Sequence, residues 1–152
     1  MKLLVFHIGA DRYGLRLRDV LRVLPLVELK QLPLAPDSVA GIMDLHGAPV
    51  PVIDLCRASG LPSGEDHFDT RIIVADYVTP AGAHHALGLR AERVLGVQEV
   101  GNELLRDSGV QAAPFLGAVA SDAQGMLQVV ELAQLLPADL CALLFQSADN
   151  PT

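Results

Sequence analysis

Residues 39–55 read VAGIMDLHGAPVPVIDL. Two apolar runs, 39–45 and 48–55, flank a polar turn made of Asp44, Leu45, His46 and Gly47. β-Branched residues on both sides of a turn that carries Asp and Gly predict two antiparallel strands joined as a hairpin. Pro49 and Pro51 stand two apart in the second run. Neither has an N–H to give to a ladder, and residues two apart in a strand share an orientation, so both gaps fall on one side. That side is expected to be a sheet edge, or a strand margin facing a partner.

The same pattern of short apolar runs and turn residues continues in both directions. Strands are expected at 3–8 and 13–17, then a helical turn at 18–21 and an extended stretch at 22–29. Beyond the central hairpin, 56–69 (CRASGLPSGEDHFD) is rich in Gly, Pro, Ser and acids and reads as a linker. Further strands are expected at 71–78, 85–90 and 93–97, then a loop over 98–113 with a short helical turn, and a hairpin of 115–120 with 126–130 across 121–125. Helical spacing at 131–136 and 138–145 is split by Pro137, and the tail 146–152 is expected to fray.

The chain repeats itself. Residues 14–23, GLRLRDVLRV, and 88–97, GLRAERVLGV, are identical at Gly, Leu, Arg, Val, Leu and Val. A second echo pairs Val52-Ile53-Asp54-Leu55 with Val129-Val130-Glu131-Leu132. Two echoes in register predict two similar halves. With strands this short and regularly spaced, the expectation is a mainly all-β chain of two small packed barrels. The first β-subdomain is expected at about 1–69 and the second at about 70–136, with a C-terminal helix at about 138–146.

Composition narrows the function. Apolar residues make up 51% of the chain and charged residues 19%, too apolar for disorder and enough to leave some apolar surface for a partner. The net charge is −7, with no basic stripe and no Trp, which argues against nucleic acid and anionic membrane. No run approaches the about 20 apolar residues of a membrane span. The opening MKLLVFHIGADRYG has too short an apolar run for a signal segment, so a cytoplasmic location without membrane insertion is expected. Cys56 and Cys141 could pair, but two lone thiols fit an intracellular chain better.

The inventory of chemistry is thin. Asp44 and His46 could form a hydrolytic dyad, yet no nucleophile elbow accompanies them, and an Asp at such a turn usually caps backbone. His46, Cys56 and His67 match no compact metal spacing, and His84 and His85 point opposite ways on a strand. Asp54 and Glu131 read as carboxylates at helix N-termini, and the repeat-related Arg16 and Arg90 as a solvated face or a partner ion pair. Leu140, Cys141, Leu143 and Leu144 form an apolar face on the last helix that reads as core closure. No phosphate-binding glycine motif occurs. A binding module follows, with no catalytic residue, metal or cofactor expected; a small-ligand sensor is the alternative.

The stretch 39–55 also closely resembles the signature of the CheW-like domain family, a Gly-x-x-Asn-Leu-Arg-Gly turn followed by Val-Pro-Val-Ile-Asp-Leu. LLVFHIGADRYGLRLRDVLRVL at the start, RIIV at 71–74, HHALGLRAERVLGV at 84–97 and FLGAVASDAQGMLQVVELAQLL at 115–136 resemble the family's other strands, in its order. Residues 23–36 and 121–128 look most like the adaptors of Wsp-type surface-sensing pathways. The resemblance implies two SH3-like five-stranded β-barrels around a shared core, and a non-catalytic adaptor. Its implied partners are the cytoplasmic signalling tip of a chemoreceptor, seated in a groove between the barrels, and the regulatory domain of a CheA-type histidine kinase, packed end to end on one barrel. In a Wsp-type pathway the output is cyclic di-GMP synthesis and biofilm formation. Gly41, Leu45 and Gly47 match the family turn, whereas Asp44 replaces Asn and His46 replaces the Arg that supports receptor coupling. The resemblance places Val20 and Val23 in the groove lining, and the repeat extends that role to Val94 and Val97.

Overall fold

The computed structural model describes residues 1–64, 66, 68–109 and 113–145. The expected tail at 146–152 and His67 lie outside them. Among the described residues nine strands follow one another: β1 (Lys2–Ile8), β2 (Asp11–Arg16), β3 (Val20–Pro25), β4 (Val39–Leu45), β5 (Ala48–Asp54), β6 (Arg71–Val78), β7 (His84–Glu99), β8 (Leu116–Asp122) and β9 (Gly125–Val130). Two short helices, α1 (Leu55–Ala58) and α2 (Ala138–Leu144), follow β5 and β9. The stretch expected to be a linker therefore opens with a helical turn. Its N-terminus is held by Asp54, whose carboxylate accepts from the Cys56 and Arg57 N–H groups.

The two strands expected at 85–90 and 93–97 are one strand of 16 residues, β7. Its first part pairs with β6 as far as Ala91, and its second part pairs with β1 from Glu92 onward. Arg93, at φ +47°, marks the change. β7 so serves two sheets. One runs β3-β6-β7-β5-β4, the other β7-β1-β2-β9-β8. Single bridges extend the two sheets at equivalent places, Lys30 to Ile42 and Arg106 to Val119. The result is two SH3-like, five-stranded β units.

The strand pairing departs from the expected division near residue 69. β1 and β2 pair with the second part of β7 and with β9, while β3, β4 and β5 join β6 and the first part of β7. Each barrel thus takes two strands from one half of the repeat and three from the other. The cause lies at two crossovers. After β2 the chain makes a 3₁₀ turn (Leu17–Asp19) and starts β3 in the other sheet, and β7 does the same without a break.

Among the described residues the core has three parts. Leu3, Val5, Leu127 and Val129 fill one barrel, and Met43, Val50, Val52, Ile72 and Val74 fill the other. A larger cluster contains Leu4, Phe6 and Leu15 from one sheet with Ile73, Tyr77 and Leu89 from the other, and it also takes Leu140 and Cys141 of α2. Alternate strand residues face the private and the shared cluster, as a pleat dictates. Both cysteines are free and buried. Leu143 of α2 is exposed, so the helix closes the core with only part of its expected apolar face. Among the described residues no helix is long and apolar enough to cross a membrane.

Candidate functional site

The β4–β5 turn closes on the pair Leu45–Ala48, leaving His46 and Gly47 as its two central residues. Their φ angles are +52° and +88°, which is the primed turn that suits strand twist. Asp44 stabilises it: its carboxylate accepts from the Gly47 N–H at 2.7 Å. That is the backbone-capping role, and it leaves no Asp–His dyad. His46 instead meets the strand across the barrel, with Nε2 3.3 Å from Nη1 of Arg22. A guanidinium only donates, so in this contact the imidazole nitrogen is the acceptor.

The prolines lie on a margin of β5 that has no strand paired to it at their positions. The N–H and C=O of Ile42 both bond to Lys30, so Ile42 and its opposite residue Pro51 form a non-hydrogen-bonded pair. Asp44 and Pro49 repeat that geometry two residues on. Both imide nitrogens therefore face the β7 side, and β5–β7 pairing starts only at Val52–Gly88, past the second proline. They keep that margin free of strand pairing as far as Val52. Gly41 is internal as well. A Cβ there would lie 2.6 Å from the Lys30 carbonyl oxygen, so the glycine lets the chain after β3 close against β4.

The four valines separate into two kinds. Val20 and Val94 are half-buried against the shared core. Val23 and Val97 are 40% and 54% exposed. Leu21 and Leu95, which the sequence reading passed over, are more exposed still, at 56% and 62%. The signal for them was present, since both lie in the ten-residue repeat as identical leucines. In β3 the register slips between Val20 and Arg22, so Leu21 is the extra residue of a bulge. The two strands thus present matching apolar pairs, Leu21 with Val23 and Leu95 with Val97.

The repeat-related charges turn out to be internal pairs. Arg16 donates two bonds to Glu131, at 2.7 and 2.8 Å. Arg90 sits 3.5 Å from Asp54 and bonds Asp66 at 2.8 Å. Each pair ties a strand of one half of the chain to the end of a strand of the other. The expectation of a solvated face or a partner ion pair is thereby corrected. So is that of a helix cap at Glu131, whose carboxylate caps nothing and pairs with Arg16. That hydrogen bond holds Glu131 below its ordinary pKa. Burial alone would push Arg90 down, but the bond it donates to Asp66 and the charges of Asp54, Asp66 and Glu92 outweigh it and leave it raised.

The remaining candidates disperse. Cys56 Sγ lies 3.5 Å from a Glu92 oxygen, and burial pushes the thiol pKa up. His84 meets Asp76 at 3.1 Å while His85 stacks on Phe145 at 4.4 Å, so the neighbours point apart. Among the described residues no three His, Cys, Asp or Glu side chains gather as a metal site. An open cavity of about 510 Å³ lies between Met1, Lys2, Arg16, Leu17, Arg18 and Asn102.

The CheW-like domain model matches residues 2–139. A chemotaxis protein CheW of Klebsiella aerogenes is 25% identical over 147 residues, covering 92% of this chain and 84% of that protein. The Bacillus subtilis chemotaxis protein CheW is 29% identical over 76 residues, about half of each chain (50% and 49%). The crystal structure of the scaffolding protein TtCheW from Thermoanaerobacter tengcongensis superposes with a TM-score of 0.81 at 25% identity, covering 91% of this chain and 94% of that one. The interlaced barrels, the proline-bearing hairpin and the match along nearly the whole length agree: this chain belongs to the CheW-like domain family.

Proposed function

We propose that this protein is a non-catalytic adaptor that couples the cytoplasmic signalling tip of a chemoreceptor to the regulatory domain of a CheA-type histidine kinase. The observation that carries the reading is the pair of exposed apolar strand segments, Leu21 with Val23 on β3 and Leu95 with Val97 on the second part of β7. Exposed apolar side chains held on rigid strands suit an amphipathic helical partner. Around them, Asp44, Leu45, His46 and Gly47 form the turn that borders the contact. Val20 and Val94 back it from the core, and Gly41 fixes the strand that carries the turn. The polar groups that could have supported chemistry are engaged in holding the fold.

The resemblance of residues 23–36 and 121–128 to Wsp-type adaptors supports a narrower reading. In it the receptor reports surface contact and the kinase drives cyclic di-GMP synthesis and biofilm formation. The adaptor would then work in the cytoplasm, beside membrane receptor arrays. Titration calorimetry with a receptor signalling-tip fragment, and separately with a kinase regulatory domain, tests the coupling. Binding of both is expected. Replacing Val23 and Val97 with Asp should abolish the receptor isotherm and leave the melting temperature within a few degrees. Deletion of the gene should lower cyclic di-GMP on surfaces if the narrower reading holds, and unchanged levels would remove it.

A further inference from the structure

The repeat sets two arginines in equivalent places, and the fold uses them differently. Arg16 gives both terminal nitrogens to Glu131, and that pair is complete in itself. Arg90 faces the shorter Asp54, whose Oδ1 accepts from the Cys56 and Arg57 N–H groups at the start of α1. Its Nη2 turns instead to the chain that follows α1, donating to the Gly64 carbonyl at 3.1 Å and to Asp66 at 2.8 Å. The two carboxylates of this corner reach the same chain. Asp54 Oδ2 accepts from Ser63 Oγ at 2.5 Å, and Glu92 Oε1 accepts from the Gly64 N–H at 2.9 Å.

Residues 61–64 lie in no strand or helix. Leu61 is 44% exposed, Pro62 and Gly64 are exposed, and Asp66 beyond them keeps 73% of its side-chain surface. Among the described residues, the one backbone–backbone bond of 61–64 is local, from the Leu61 N–H to the Cys56 carbonyl. Every other printed tie is a bond to or from Asp54, Arg90 or Glu92. A segment with little buried apolar surface and no ladder bonds sits at the low end of local stability. Ser63, Gly64 and Asp66 also line a cavity of about 260 Å³, together with Leu29, Gln31 and Ala40.

We infer that residues 61–64, with Asp66, form a strap that opens and closes on the barrel holding β5 without unfolding it, and that Arg90 is its latch. Asp54 and Arg90 are opposite one another in the β5–β7 register, so the closed strap is fastened where the two halves of the chain meet. Opening frees Ser63 from Asp54 and Gly64 from Glu92 and widens the cavity, while the strand ladders stay intact. The twin corner has no such device, because Arg16 and Glu131 satisfy each other. The strap belongs to the fold itself and goes beyond the adaptor reading.

Amide hydrogen exchange, followed by NMR on the full chain, reads the strap at Gly64 and the barrel at Ile73 and Leu89. In the wild type Gly64 is expected to exchange more slowly than an open chain, and about a hundredfold or more faster than Ile73. Ser63→Ala removes a hydrogen bond to a charged group and should speed Gly64 about tenfold. Asp66→Asn removes an exposed ion pair and should speed it about two- to fivefold. Both should leave Ile73 and Leu89 within about twofold of the wild type, because the strap opens locally. Added sodium chloride should speed Gly64 in the wild type and have less effect in Asp66→Asn. Gly64 exchange as fast as an open chain would mean that no latch holds it. Exchange as slow as Ile73, or equal acceleration of Ile73 in both variants, would mean that the strap opens only with the barrel. Either result, or Gly64 rates unaltered in both variants, overturns the inference.

Discussion

Gly41 shows how a residue of the family turn can matter without touching a partner. Its φ of +149° and the Lys30 carbonyl at 2.6 Å from any Cβ leave room for hydrogen alone. Gly41→Ala is expected to cost about 2–4 kcal/mol in urea unfolding, through strain and loss of the Lys30–Ile42 bridge. Glu131 gives a pH-dependent signature. Its carboxylate is held below the ordinary range by Arg16, so the pair's contribution is complete above the unfolded-state value of about 4.3 and fades as pH falls through the lower folded value. The stability gap between wild type and Arg16→Gln should therefore be present at pH 7 and shrink towards pH 3, as read by urea midpoints. A gap that widened in acid would contradict the assignment. At this scale the turn was legible, because Asp, His and Gly between two apolar runs have few other uses. The Arg22–His46 contact was not, since 24 residues separate the two and only the fold brings them together.

Among the elements, β7 carries the most. It holds both barrels in register, and its bend is concentrated at Arg93 with a φ of +47°. A β-branched residue is poorly suited to that conformation, so Arg93→Val should lose about 1–2 kcal/mol while Arg93→Gly stays near neutral, by thermal melting. The two cross-half ion pairs should respond unequally. Arg90 and Asp54 are almost fully buried, and Arg90→Met leaves Asp54 with only the more exposed Arg57, at 3.9 Å, as a charge partner, at a cost of about 3 kcal/mol. Arg16 and Glu131 keep more water, with side chains 22% and 34% exposed, and Arg16→Met should cost about 1 kcal/mol or less. Equal losses would refute the burial argument. Strand positions were readable from apolar runs and turn residues. The continuity of β7 was not, because Ala91 and Glu92 read as a break between two strands and prove to lie at a bend within one strand.

Over the whole molecule, the interlacing of the halves is the property that sequence hid. A repeat identifies equivalent positions, but the contacts between equivalent strands are the same whether one copy or both supply them. Local pattern therefore cannot say which half completes which barrel. The consequence is measurable. Fragments 1–69 and 70–152 should each remain largely unfolded, since each lacks strands from both barrels, and the intact chain should melt in a single calorimetric transition. Independent folding of either fragment would contradict the pairing of β1 and β2 with β9 and the second part of β7. An interlaced body also suits an adaptor, because a shared core makes the two barrels move as one and keeps β3 and β7 at a fixed separation.

Coupling is tested most directly by a three-component reconstitution that follows kinase autophosphorylation in the presence of a receptor signalling fragment, with and without this protein. The expected result is receptor control of the kinase only when the adaptor is present, with control lost in the Val23→Asp, Val97→Asp double variant. Receptor control that is equal with and without the protein, or that survives the double variant intact, would contradict the adaptor account.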